Sequence, residues 1–248
     1  TITGWDIDLA GSLDAGTKAT SIHGSQAAQT VGLGGTSANM HIDNDELGRI
    51  TSYDGFVLGG SVGGDIVVNG VLEASSTHLR PVVTLVAQNN GAQVKFMTSG
   101  STFTSLEAQA DNGVVVNKDV STTYGGIFFD GDMDNALEST GSPHNKVGFT
   151  DGRTVTAFTL LNLESSFGKS SVYIMNSGEL TLAAGSGIVI HNSMTGAANA
   201  KPVVIDADTD GDSDGTLTIE ADKVVDSNNS DVTITAWDID FDGSLDAG

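Results

Sequence analysis

The sixteen residues that open the chain, TITGWDIDLAGSLDAG, return at residues 233–248 as TITAWDIDFDGSLDAG, with thirteen positions identical at an offset of 232 residues. A chain that restarts in this way must adopt a shape whose far end can receive its own beginning. A closed globule gains nothing from such a repetition. A stack of similar layers does, because each added layer covers an open sheet edge and becomes part of the same core. The expectation is one complete unit over residues 1–232, with residues 233–248 starting the next tandem repeat. Recent duplication would also leave the two segments alike.

The layers are expected to be strands. Short alternating stretches follow one another along the chain, among them PVVTLVAQ, QVKFMTS, NGVVVNKDV, GGIFFDGD and GTLTIEAD. In Val83, Leu85 and Ala87, or Val94 and Phe96, apolar residues recur at every second position, the period of a strand with one buried face. The chain holds 32 Gly and 3 Pro, and aromatic residues make up 6%. Glycine supplies turns, the abundant Val, Ile and Thr suit pleated surfaces, and so few rings suit a thin core of small and β-branched side chains. Helical periodicity is weak; DNDELGRI is the best candidate, a single turn capped by Asp43 or Asn44 and ended by Gly48. Two arrangements compete. QNNGAQ, around Asn90 and Gly91, is a hairpin signal and would favour an antiparallel sandwich. A parallel β-solenoid also accounts for the repetition. With roughly 20–25 residues per coil, a 232-residue unit makes about ten coils, stacked at about 4.8 Å into a body roughly 48 Å long.

Charge narrows the partners. Ten Lys and Arg oppose 32 Asp and Glu, a formal charge of −22, and such a surface repels phosphate backbones, so nucleic acid is excluded as a partner. No apolar run of about 18 residues is present to span a bilayer. The absence of cysteine removes disulfides, thiolate metal sites and a cysteine nucleophile, and fits an extracellular repeat protein.

The densest acidic stretch is DADTDGDSDG, with Asp206, Asp208, Asp210, Asp212 and Asp214 at alternate positions. Looped round a hard cation, these carboxylates are candidate calcium ligands; held in a strand, they would splay to one face and repel. The opening matches an EF-hand loop, but the twelfth position from Asp206 is Leu217, where a bidentate Glu belongs. Asp130, Asp132 and Asp134, and Asp43, Asp45 and Glu46, read as turns before they read as metal sites. In WDID, Asp6 and Asp8 are expected outward, with Trp5 inward or wedged at a corner. The histidines His23, His41, His78, His144 and His191 are scattered without ligand spacing. Asn228 begins the sequon Asn228-Asn229-Ser230 and is a candidate glycan acceptor. Asn69 and Asn117 each follow a valine at a strand end and are candidates for a stacked-asparagine role. No G-x-S-x-G elbow or phosphate-binding loop is present.

The series SIHGSQAAQTVGLGG, MHIDNDELGRITS, GFVLGGSVGGDIVVNGV, VVIDADTDGDSDGTLTI and TITAWDIDFDGSL resembles the repeat unit of giant filamentous-haemagglutinin-like surface proteins, which occur as bacterial adhesins and, in closely similar form, in stramenopile algae. The resemblance spans most of the chain and is weaker over residues 99–160. It implies a right-handed parallel β-helix, exported to the cell surface and forming a long fibre, and it does not imply an enzyme. Fibres of this kind serve as adhesins, cell-surface coats or the shafts of flagellar hairs. The expected partners are adjacent copies of the same repeat and other chains of a filament. The alternatives are an adhesin that holds glycans and a polysaccharide-acting β-helix enzyme. Two carboxylates suffice for glycoside hydrolysis, but Arg49, Arg80 and Arg153 stand apart in the sequence.

Overall fold

Alternation sets the strands, as it does in Val83–Ala87, where Val83, Leu85 and Ala87 are buried while Thr84 and Val86 are half-buried. The structure, a computed structural model, describes residues 1–134, 145–165, 172–174, 178–196 and 201–248. Every strand pairing among the described residues is parallel, and the fold is all-β and solenoid-like.

Two sheets of ten strands and one of six are visited in a fixed order. The first sheet runs from Ile2–Gly4 to Asp238–Phe241, the second from Met40–Ile42 to Ser244–Asp246, and the third from Ser101–Phe103 to Val232–Thr235. One circuit shows the rule: Val83–Ala87 lies in the first sheet, Val94–Phe96 in the second and Ser101–Phe103 in the third, and Leu106–Ala110 then returns to the first beside Val83–Ala87. Each ladder joins a strand to the circuit before or after it, except at the outer end of the second sheet, where Gln29–Gly34 pairs with Met40–Ile42 of its own circuit. The first sheet takes nine strands from residues 1–232 and a tenth, Asp238–Phe241, from the repeated segment, so the unit holds one coil fewer than the expected number of about ten.

The hairpin reading of Asn90-Gly91 is not what forms. Val83–Ala87 pairs with Phe56–Gly60 and Leu106–Ala110, not with Val94–Phe96. The turn carries the chain round a corner, with Gly91 at φ +79° and its amide donating to Asp111 Oδ2 at 2.6 Å. A turn signal fixes local chain reversal but not which edge the next strand pairs with.

Toward the beginning of the chain other elements stand where the third sheet would lie. Leu13–Asp14 pairs with Ile50–Thr51, Ser52 bridges Leu79, and the single helical turns Asn44–Leu47 and Glu73–Ser76 fill the intervening corners. The first of these forms as its sequence demands. Asp43 accepts from the Glu46 amide at 2.8 Å, Glu46 accepts from the Asp43 amide at 3.0 Å, and Gly48 closes the turn.

The core is thin and stacked in columns. Leu85, Ala108, Phe129, Leu163, Ile190 and Ile219 are successive partners in the first sheet, and all are buried. Phe96 meets Phe129 across the core with ring centroids 5.6 Å apart and planes tilted by 40°. Where the chain turns inward at corners, hydroxyls replace missing backbone partners: Thr104 donates to the Ser76 carbonyl, and its amide donates to Ser76 Oγ.

The two copies of the repeated segment occupy different sheets. Ile2–Gly4 lies in the first sheet on Thr20–Gly24, whereas the equivalent residues Ile234 and Thr235 lie in the third sheet on Val203–Asp206. Asp238–Phe241 is a strand of the first sheet, while its counterpart, residues 6–9, forms no strand. Leu13–Asp14 pairs with Ile50–Thr51, and its counterpart within Ser244–Asp246 pairs with Val224–Asp226 in the second sheet.

Candidate functional site

The acidic stretch leaves the third sheet at Asp206 and re-enters the first at Thr216, so it forms a corner loop. Glycine and a left-handed serine let it curl: Gly211 has φ +67° and Ser213 φ +78°. The curl brings Asp208, Asp210, Asp212 and Asp214 together, with one carboxylate oxygen of each within 4.8 Å of the others. Asp206 is not among them. It is fixed in the strand Val203–Asp206, paired with Ala183 and Thr235, and its Oδ1 accepts a 3.4 Å hydrogen bond from the Asp208 amide. Four of the five expected ligands therefore converge, and the fifth braces the loop.

The electrostatics of the loop follow from this crowding. The hydrogen bond to Asp214, then partial desolvation, then the charges of Asp210 and Asp214 hold the Asp212 carboxyl above the ordinary carboxylate range. Asp208 is half-buried, and its Oδ1 is shielded from solvent without a hydrogen-bond partner. A set of four carboxylates around one point could hold a metal ion, and an all-oxygen set of this kind suits hard cations.

The other acidic groups are committed to structure. Asp43 and Glu46 form the capping box described above, and Asp45 lies in the first turn of the same helix. Asp130 closes the strand Ile127–Asp130, and its Oδ1 accepts from the Asp132 amide at 3.0 Å. Burial pushes its carboxyl up to about 6, the hydrogen bond opposing and the Glu164 charge adding to the shift. Asp132 is fully buried and accepts from Asn145 Nδ2 at 2.8 Å; Ser165 Oγ donates to the Asn145 carbonyl, and the Ser165 amide donates to Asn192 Oδ1 at 2.6 Å. This polar column along the corner between the first and second sheets has no counterpart in the sequence pattern. Coil lengths vary, so residues that stack have no constant spacing.

Asn228 sits in a turn with φ +54°, half-buried, its Nδ2 donating to the Gly196 carbonyl at 3.1 Å. Asn69 bridges successive circuits, donating to the Gly35 carbonyl at 2.6 Å and accepting from the Ser99 amide at 3.1 Å. Asn117 donates to Met97 Sδ, so no asparagine ladder links it to Asn69. The histidines stay separate: His23 meets Thr3, His41 the Gly34 carbonyl and His191 Glu220, while His144 lies outside the described residues.

A second surface emerges from the corner where the third sheet, or the elements standing in its place, passes to the first. Tyr53, Tyr124, Phe158 and Trp237 all sit there and are about half or more exposed. The guanidinium of Arg80 lies 4.2 Å above the Tyr124 ring. Trp5 too is exposed, so neither tryptophan points inward. Nothing in the strand alternation marks these rings, because each falls in a turn.

No family model matches the chain, no curated protein is similar to it and no solved structure matches it. Among the described residues no helix is long and apolar enough to cross a membrane.

Proposed function

We propose that this chain is a structural repeat of a giant extracellular fibrous protein, winding as a right-handed parallel β-helix and stacking end to end into a rigid cell-surface filament. One observation carries the reading. The last strands of all three sheets, Val232–Thr235, Asp238–Phe241 and Ser244–Asp246, each have one neighbour and one open edge, and they are built from a segment that repeats the chain's beginning. Ile239, Phe241 and Leu245 extend apolar columns there yet remain 47%, 39% and 37% exposed. A further layer would cover them. Covering apolar surface contributes about 25 cal/mol per Å², so units should stabilise one another through their shared junction.

The test compares the 248-residue chain with one that carries three units in tandem. The tandem chain should melt at a higher temperature and unfold with stronger cooperativity. Equal melting temperatures remove the coupling and with it the filament.

The acidic loop fits a stabilising role for calcium, with Asp208, Asp210, Asp212 and Asp214 supplying oxygens. Calorimetry should show heat at millimolar calcium; absence of that heat, with no effect of chelator on melting, removes the ion.

A second reading, adhesion through glycans, draws on the exposed rings Tyr53, Tyr124 and Phe158. Aromatic faces offer rigid apolar platforms with low entropic cost, and they line one corner of the fold. Glycan-array binding that Tyr124→Ala and Phe158→Ala abolish would establish it; an array without signal leaves the scaffold role alone.

A further inference from the structure

The repeated segment is seen twice, and each copy shows a different side of it. At residues 233–248 the segment pairs with strands earlier in the chain. Val203–Asp206 carries Val232–Thr235, Thr216–Ile219 carries Asp238–Phe241, and Val224–Asp226 carries Ser244–Asp246. At residues 1–16 the same segment pairs with strands later in the chain. Ile2–Gly4 is covered by Thr20–Gly24 and Leu13–Asp14 by Ile50–Thr51, while residues 6–9 lie against the outer end of the second sheet. There the His41 amide donates to Asp6 Oδ1 at 2.9 Å and the Leu9 amide to Glu46 Oε1 at 2.9 Å.

These two sets of contacts use opposite edges of the segment, so one junction can hold both. The inward residues agree. Ile2, Ile7, Leu9 and Leu13 pack on the core of the circuits after them; their counterparts Ile234, Ile239, Phe241 and Leu245 extend the columns of the circuits before them. Combining the two copies covers each apolar side chain from both sides.

Resting on the filament reading above, we propose that successive units join with an offset of one face. Thr1–Gly4 of the following unit takes the place of residues 233–236, in the third sheet, so the first sheet of the following unit continues the third sheet of this one. Residues 6–9 take the place of Asp238–Phe241, so its second sheet continues this first sheet. Leu13–Asp14 takes the place of Leu245–Asp246, so the Ile50–Thr51 side continues this second sheet. Three separate correspondences give the same rotation. A unit thus spans eight complete circuits and two faces of a ninth, counted along the strand order. Surface features of the unit, including the acidic loop and the aromatic corner, then step round the filament by one face per unit and return to the same face at every third unit.

Cysteine pairs placed in a two-unit chain, residues 1–232 followed by 1–248, test the offset, since the chain has no cysteine of its own. Neighbouring residues in adjacent parallel strands lie within the range of Cα separations that a disulfide spans. Val204→Cys with Thr233→Cys, at the junction between units, should oxidise to a bridge, because these residues are partners across the third sheet. So should Thr235→Cys with His23→Cys of the second unit, since residue 235 there is the second unit's Thr3, the partner of His23. Peptide mapping by mass spectrometry reads each bridge. The competing in-phase junction would set the segment in the first sheet, with Thr233 beside Thr216. A bridge between Thr216→Cys and Thr233→Cys, in place of that between Val204→Cys and Thr233→Cys, overturns the offset and leaves the filament standing. Failure of both Val204–Thr233 and Thr216–Thr233 bridges means that the units do not stack through this segment, and both proposals fall.

Discussion

Phe129 tests the stacked core most directly. Its ring is fully buried in the first sheet between Ala108 of the preceding circuit and Leu163 of the following one, and it meets Phe96 at a centroid distance of 5.6 Å. Phe129→Ala removes the ring and leaves a cavity next to a residue that is already alanine, so little can collapse into the space. Truncation of a buried phenylalanine costs about 3–5 kcal/mol, and loss of the tilted ring pair accounts for about 0.5–1.5 kcal/mol of this. The cost should lie toward the upper end. Because each circuit contacts only its neighbours, the damage should also divide the unfolding transition. Urea denaturation followed by far-ultraviolet circular dichroism gives the magnitude, and hydrogen exchange locates it in the circuits around residues 106–130. Adding Ala108→Phe should restore part of the loss by returning a ring to the same column one layer away. A loss below about 1 kcal/mol for Phe129→Ala, or no recovery with the second change beyond that of a surface substitution, refutes the column packing.

Three further outcomes are expected. Asp130→Asn should stabilise the protein above neutral pH: the folded carboxyl is raised to about 6, so the folded state binds more protons than the unfolded one between about pH 4 and 6, and wild-type stability falls as pH rises through that window. Chemical denaturation at pH 5 and pH 8 should show this slope in the parent and a flatter one in the variant. Gly59→Ala should destabilise, by more than the about 0.4–1 kcal/mol by which the same change stabilises where the backbone allows it, since Gly59 has φ +93° and an added Cβ would stand 2.2 Å from the Val86 carbonyl oxygen; an unchanged melting temperature would contradict the close approach of these circuits. Asp43→Ala should cost about 1 kcal/mol through loss of the capping box, read by thermal melting, with Asp45→Ala as a near-neutral control.

Much of the strand layout was legible because alternation reports a buried face directly. Val83, Leu85 and Ala87, and the capping signal at Asp43 and Gly48, led to the observed elements for the reasons the sequence offered. Pairing was harder to read. Asn90-Gly91 has hairpin chemistry, yet a parallel neighbour outcompetes the local reversal because the flanking strands bury their inner faces in separate sheets. The acidic loop was recognisable as a cluster, but the exclusion of Asp206 required knowing where the strand ends, which pairing with Thr235 decides. The column of Asp132, Asn145, Ser165 and Asn192 and the exposed rings of Tyr53, Tyr124 and Phe158 could not be aligned in advance, since unequal circuits give stacked residues no regular spacing. Nor does a single sequence repeat reveal the sheet in which each copy lies.

The ladders of the three sheets all run in one sense, and this governs how the molecule bears load. From Ser101 onward, tension along the direction of those hydrogen bonds is shared by three ladders side by side, so the load on one strand is divided with its companions in the same cross-section. Peeling from an end of such a stack is different: strands there have a single neighbour and come away one after another. A stack of this kind therefore resists stretching between interior points and frays from an uncovered end, so that a tether attached midway along it would hold more force than one attached to an outermost strand.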